Sequence, residues 1–394
     1  MIAPDQICSA EAVTEGHPDK ICDQIADAVL DEYLAQDSYA RVGCEVMAAK
    51  DLIIVAGEIT SSAKVSIEAV ARNVLRQIGY TDKSTGFDGY TCKVLTSISQ
   101  QSLSIRDSID VSVEMKEKRA EHEFDALGAS DQALVIGYAC IDTEVYMPLP
   151  IILANRLAQR LSIVRKNDVI PSLRPDGKTL VTVEYRNHQP TRVACIAIST
   201  QHDPAVNRDE LQADIYKQVI EPSIPKYLLD NRTQYFVNPS GPWAYGGPGA
   251  DTGLTGRKLA VDTYGTAARS GGGALSGKDP TKIDRSGAFA ARYIAKNIVA
   301  AGLADRVEVE IGYAIGLARP VYVTINTFGS EHIPVPDIHR AIHKHFELRP
   351  AGIIETLKLR RPIYRQLAAY GQFGRCDIEL TWEGAETVKI LRRV

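Results

Sequence analysis

The sequence predicts a mixed α/β (α+β) protein of three similar domains, each a small mixed sheet with helices on one face, set about a pseudo-threefold axis. Three observations carry this. The order helix, hairpin, helix returns three times along the chain, as it does when one supersecondary unit is repeated. The strands alternate apolar and polar residues imperfectly, as half-buried strands do. The length of 394 residues suits two or three domains.

The first unit opens with a helix over about 18–35, where Ile21, Ile25, Ala28 and Val29 share a face. Strands follow at about 41–49 and 52–59, turning at Lys50-Asp51, and a helix at about 64–78 is ended by Gly79. The second unit has a helix near 149–164, strands near 179–187 and 192–199 that turn at Asn187-His188-Gln189, and a helix over about 209–229. The third has a helix at 284–301 ended by Gly302, strands at 306–315 and 319–328, and a helix near 336–346. The domains are expected over 1–110, 126–245 and 246–394, with a flexible loop up to about 125 and with strands open to exchange between domains. Arg41–Met47 and Val307–Tyr313 read as half-buried, whereas Leu52–Ala56 reads as buried on both faces. A sheet with helices on one side and a second subunit on the other satisfies both patterns, so a homodimer is expected.

Composition narrows the class. The hydrophobic fraction of 45% and charged fraction of 24% are those of ordinary globular proteins. No run approaches the roughly 20 apolar residues of a membrane helix, and the first residues lack the layout of a signal peptide. A cytoplasmic protein without membrane contact is expected. The net charge of −4 argues against bulk nucleic-acid binding, so any polyanion must meet local cation clusters. The seven cysteines are widely spaced, odd in number and without a C-x-x-C pair, which fits reduced thiols and leaves a zinc site without support.

Residues 271–285, GGGALSGKDPTKIDR, hold glycines that admit close backbone approach and the cations Lys278, Lys282 and Arg285. Asp279 and Asp284 could orient those cations or hold a metal. Gly272 to Lys278 imitates a P-loop, but Asp279 stands where that motif needs Ser or Thr and no strand immediately precedes it. The segment reads as a phosphate site outside the P-loop class.

Five further segments are polar and punctuated by glycine or proline. In EGHPDK (15–20), Pro18 suits the first helical position, placing His17 and Asp19 at a helix N-terminus that favours anions. There Asp19 suits magnesium and Lys20 a phosphate; the alternative is a cap with surface charges. Glu58, in GEIT, is either a helix-start residue or a ligand for an ammonium group. Asp131 either balances positive charge or makes a turn. LRPDGK (173–178) carries a Pro-Asp-Gly turn signal and, read as a site, offers Lys178 to phosphate and Asp176 to a hydroxyl or amine. In 238–258, Trp243 lies in a glycine-rich loop with little core to bury it, a platform for a base, and Arg257 and Lys258 add cations. Residues 100–128 are dense in charge and weakly periodic, which reads as a mobile lid or a solvated linker. Triad, zinc-peptidase and dinucleotide motifs are missing from the sequence.

These motifs, with STQH (199–202), GLTGRK (253–258), VDTYG (261–265), DRSGAFAARYIAKNIVAAGLADR (284–306) and AAYGQFGR (368–375), resemble the S-adenosylmethionine synthetase (methionine adenosyltransferase) family from about residue 8 to 375 and in one order. The resemblance implies reaction of ATP with L-methionine, with release of triphosphate and its hydrolysis to pyrophosphate and phosphate. It also implies magnesium, two ions, and potassium. The implied assembly is a homodimer with active sites at the interface, often a homotetramer. It assigns His17, Lys178, Arg257, Lys258 and Lys278 to catalysis. Asp176, Trp243, Asp251 and Ala274 join them around ATP. Glu58, Gln101, Asp131, Asp251 and Lys282 are implied around methionine. Asp19 and Asp284 are implied for magnesium and Glu45 for potassium.

The sequence departs from the family pattern at Ser130, Ala133, Trp243, Leu275 and Gln372, and over 102–123. A catalytically impaired homologue that binds ATP or S-adenosylmethionine is the alternative these departures raise. A triphosphate hydrolase without a sulfonium product is a third reading.

Overall fold

The computed structural model describes residues 5–100 and 110–394. Its strands are β1 (Gln6–Val13), β2 (Arg41–Ala49), β3 (Leu52–Thr60), a two-residue ribbon of β4 (Thr81–Asp82) and β5 (Phe87–Asp88), β6 (Lys93–Ser99), β7 (Ala133–Cys140), β8 (Leu173–Arg186), β9 (Gln189–His202), β10 (Gln234–Val237), β11 (Gly253–Leu254), β12 (Arg306–Tyr313) and β13 (Tyr322–Asn326). The principal helices are α1 (Pro18–Gln36), α2 (Ile67–Ile78), α3 (Leu149–Lys166), α4 (Arg208–Ile215), α5 (Ile283–Ala300) and α6 (Val335–His345).

The expected hairpins β2–β3, β8–β9 and β12–β13 are present, each antiparallel, preceded by a long helix and followed by another. Each unit also owns a strand ahead of its first helix, and that strand joins another unit's sheet. β1 pairs with β8, β7 with β12, and β11 with β2, all antiparallel. The lead strands thus pass from the first unit to the second, the second to the third, and the third back to the first, which is cyclic threefold order. The sheets read β11-β2-β3-β6, β1-β8-β9-β10 and β13-β12-β7. β6 and β10 extend their sheets parallel to β3 and β9. One hydrophobic core joins the first and third sheets to α1 and α5, and a second lies between the middle sheet and α3.

Several elements differ from expectation. LRPDGK lies inside β8, whose pairing with β9 slips between Leu173 and Gly177, so its turn signal is absorbed as a strand irregularity. The hairpin reverses over two residues, Asn187 and His188, both at positive φ, the requirement of a type I′ turn. The helix expected to 229 stops earlier: α4 continues through a π turn at Tyr216–Ile220 to Ser223. Of Leu52–Ala56, Ile53 and Val55 are buried but Leu52 and Ile54 are partly exposed, so the outer face of the first sheet is not fully covered in the single chain.

The segment read as lid or linker is tied down in its second half. Ser112 caps the single-turn helix Val113–Lys116, and Glu114 accepts the backbone N–H groups of Ala318 and Arg319. Buried Asp125 accepts the N–H groups of Glu121 and His122 and pairs with Arg349. The remainder of that expectation, residues 102–109, and Gln101 lie outside the described residues.

Candidate functional site

Two polar loops and a helix N-terminus meet along the open edge of β2. Pro18 starts α1, and His17 caps it in extended geometry, accepting the Asp19 N–H at Nδ1 over 3.1 Å. Burial, first, and the nearby Lys258 and Lys178 hold the His17 pKa down at about 3, against the opposing pull of Asp19. The imidazole is therefore neutral at pH 7. With Nδ1 accepting, its proton resides on Nε2, which is left as a donor.

Asp19 accepts the Leu254 N–H at 3.0 Å and the Lys258 ammonium at 2.5 Å, with Arg257 at 3.8 Å. Burial alone would raise its pKa; Lys258 and the Leu254 N–H outweigh it and hold the carboxyl below its ordinary range. Lys178 is exposed and has no ion-pair partner among the described residues. It sits where β8 runs beside Val13, close to the entry of α1.

β2 carries both loops on one edge. β11 pairs at Ala48 and Met47, and Thr255 bonds to Val46. Further along, the Cys44 N–H donates to the Gly277 carbonyl, and Asp279 and Val42 bond to each other. A Cβ on Gly277, whose φ is +79°, would lie 1.9 Å from the Cys44 carbonyl oxygen, so only glycine fits there. A Cβ on Gly256 would lie 2.4 Å from that of Ala274, so the two loops touch. In the second loop Lys278 pairs with Asp284 at 2.6 Å, and Lys282 with buried Asp279 at 3.2 Å. Asp284 occupies the first turn of α5, as Asp19 does in α1.

Asp176 is buried on β8. Its Oδ2 accepts the Gly247 N–H at 2.8 Å, and its Oδ1 has no protein partner. Burial pushes its pKa up to about 7, with Asp251 adding to the rise and Lys178 opposing it. The Trp243 loop is fixed to the same corner: its backbone exchanges hydrogen bonds with His202, and its Nε1 donates to the Tyr245 carbonyl. An acid whose folded pKa exceeds its unfolded value adds stability that is full below about 4 and is lost as pH rises through about 7. Asp176→Asn, which cannot ionise, is therefore expected to gain about 2–4 kcal/mol on the wild type between pH 4 and pH 8. Thermal melts at both pH values check this; parallel pH profiles would contradict it.

The other expected residues are less gathered. Glu58 is exposed near the end of β3, and the backbone of Gly43 lies between its carboxylate and the Lys282 side chain: a Cβ there would be 3.8 Å from Glu58 Oε2 and 3.9 Å from Lys282 Cε. Glu45 is exposed on the outer face of β2. Asp131 is exposed and accepts the Gln132 N–H, while the neighbouring Ser130 hydroxyl accepts the Ile283 N–H at the start of α5.

Two expected phosphate cations are structural. Lys20 is fully buried between Asp23, at 2.9 Å, and Asp262. Burial pulls its pKa down, but the two carboxylates outweigh that and hold it above the ordinary lysine range. Arg285 is buried with its guanidinium bidentate on Asp27, at 2.6 and 2.9 Å, and over the Tyr364 ring. Gln372 meets the same arginine at 3.3 Å. Asp23 and Asp27 were not among the expected residues, although the spacing of Asp19, Asp23 and Asp27 at four-residue steps on one helix was legible.

Comparison with known families matches most of the chain. The model for the S-adenosylmethionine synthetase N-terminal domain fits residues 5–103, that for the central domain 126–243, and that for the C-terminal domain 245–384. The chain belongs to the S-adenosylmethionine synthetase family. Family membership makes it a transferase of S-adenosylmethionine biosynthesis and supports methionine adenosyltransferase activity.

The same family generally depends on metal. Among the described residues, no three or more His, Cys, Asp or Glu side chains converge as a ready metal cage. Asp19 and Asp284 each offer one carboxylate beside a cation. That donor set fits magnesium, which commonly takes one or two protein carboxylates and completes its shell with water and substrate phosphates. No helix among the described residues is long and apolar enough to cross a membrane.

Proposed function

We propose that the protein makes S-adenosyl-L-methionine from ATP and L-methionine, then hydrolyses the released triphosphate to pyrophosphate and phosphate. The observation that carries this reading is the meeting of two cation-bearing loops on the β2 edge, beside a helix N-terminus capped by a neutral histidine.

The chemistry needs such a site and little else. A sulfur lone pair of methionine forms a bond to the ribose 5′ carbon, and the C–O bond electrons leave with triphosphate. No proton is removed from sulfur, so positioning and electrostatics carry the rate. His17 acts from Nε2–H as a hydrogen-bond donor to the departing 5′ oxygen; its low pKa keeps it from competing as a cation. Lys178, Arg257, Lys258 and Lys278 clamp the triphosphate, and Ala274 borders it. Asp176 uses its free Oδ1 on the nucleoside, and Trp243 stacks on adenine. Glu58 receives the methionine ammonium, Lys282 and Gln101 border that substrate, and Asp131 and Asp251 face the developing sulfonium.

Asp19 and Asp284 would hold two magnesium ions and Glu45 a potassium ion. When bound, magnesium supplies positive charge against the polyphosphate. Lys258 and Lys278 are the cations that would be released from those carboxylates toward phosphate.

The partly exposed Leu52 and Ile54 support a homodimer in which a second copy covers this face. Sites then lie at the interface, and dimers pair further as a homotetramer in the cytoplasm. Incubation with ATP, L-methionine, magnesium and potassium tests the reading. S-adenosylmethionine is expected with one phosphate and one pyrophosphate per turnover. Binding without product would favour the impaired homologue, and phosphate release independent of methionine would favour a hydrolase.

A further inference from the structure

Helix α1 carries four aspartates at four-residue spacing, Asp19, Asp23, Asp27 and Asp31, and each accepts a backbone N–H from outside the helix. Such spacing stacks side chains along one helical face. Asp19 accepts from Leu254 at 3.0 Å, Asp23 from Gly256 at 2.8 Å, and Asp27 from Gly277 at 2.8 Å. Asp31 accepts from Tyr364 and Arg365, both at 2.9 Å.

The middle two stand out by what they hold. Gly256 immediately precedes Arg257 and Lys258, and Gly277 immediately precedes Lys278. Each loop is also bonded to the β2 edge, through Val46 for the first and Cys44 for the second. The loops are therefore pinned between a strand and a helix, with glycine at each point that meets the helix. Asp23 and Asp27 are fully buried. Each carboxylate is itself fixed by a buried cation: Lys20 holds Asp23 and Arg285 holds Asp27. A carboxylate so held has little rotational freedom, and its bond to a backbone N–H is charge-assisted.

We propose that Asp23 and Asp27 are positioning residues that set the spacing of the Arg257–Lys258 pair and Lys278 for one polyphosphate. They touch no substrate. They act through the Gly256 and Gly277 N–H groups, and the buried cations Lys20 and Arg285 serve to aim them. The inference rests on the triphosphate clamp proposed above. It explains why two motif cations lie in the interior instead of in the site.

The test measures binding of inorganic tripolyphosphate, in magnesium and without methionine, to the full chain by calorimetry. Asp23→Asn and Asp27→Asn keep the side-chain shape but remove the charge that aims the loops. Each is expected to weaken binding at least about tenfold, and, in the assay with both substrates, to raise the KM for ATP while the KM for methionine holds. Asp31→Asn is the control. Asp31 holds the Tyr364–Arg365 segment, which carries none of the clamp cations, so the variant is expected to bind tripolyphosphate as the wild type does. Wild-type binding with unchanged affinity in both Asp23→Asn and Asp27→Asn would overturn the proposal. Equal weakening in Asp31→Asn would overturn it too, by reducing the effect to general loss of structure. Failure of the wild type to bind tripolyphosphate would sink the clamp itself, and this inference with it. If either variant fails to fold, Arg285→Lys, which keeps a positive charge beside Asp27 but loses the two-pronged geometry that aims it, supplies the reading for the second loop: unchanged affinity there overturns the proposal.

Discussion

Lys278→Ala is expected to lower S-adenosylmethionine formation by about 10²–10³-fold, the usual cost of removing one preorganised stabiliser of developing charge. The fold should survive. Lys278 is partly exposed, and its one ion pair among the described residues is to Asp284, at 2.6 Å on a half-open surface. Such a pair is worth about 0–1 kcal/mol, so the melting temperature should move little. The loss should appear in kcat as well as in kcat/KM, because the charge on the leaving triphosphate grows toward the transition state. Steady-state kinetics beside a thermal melt check both halves. Near-normal turnover would remove Lys278 from the clamp.

Arg285→Ala is expected to do the opposite, lowering stability by about 3–5 kcal/mol, the cost of breaking a buried ion pair from one side. The change strands the Asp27 carboxylate, fully buried, with the Gly277 N–H as its remaining partner among the described residues. It also removes the guanidinium stacked 4.3 Å from the Tyr364 ring centroid. Arg285→Lys should recover part of the loss, since an ammonium restores the charge without the two-pronged geometry. Chemical denaturation measures it. A variant as stable as the wild type but inactive would return Arg285 to the role of a phosphate ligand.

The contrast between these neighbours shows what the sequence could tell. Lys278 and Arg285 stand seven residues apart in one polar segment, and composition alone treats them alike. Lysine and arginine are almost never fully buried unless paired; Asp23 lies one turn from Lys20, but the second partner of Lys20, Asp262, and the partner of Arg285, Asp27, lie 242 and 258 residues away in the chain. No local pattern announces them. The repeated helix–hairpin–helix order was legible because periodicity and turns are local. The cyclic exchange of β1, β7 and β11 was not, since pairing partners are set by assembly, and β11 is two residues long. The Pro-Asp-Gly of 175–177 misled for the same reason: long-range pairing between β8 and β9 overrides a local turn preference. His17, Asp19, Lys258 and Lys278 could be picked out because short polar motifs beside glycine or at helix starts have few structural uses. Their grouping along β2 came only from the fold.

In the proposed site Lys178, Arg257, Lys258 and Lys278 converge on one triphosphate, from one subunit or two. A structure of the full protein with magnesium and tripolyphosphate tests it most directly. Phosphate oxygens are expected at about 2.7–3.2 Å from these cationic nitrogens, with Lys258 moved off Asp19 and Lys278 off Asp284. A polyphosphate bound elsewhere, or one bound here with both lysines still on their carboxylates, would contradict it.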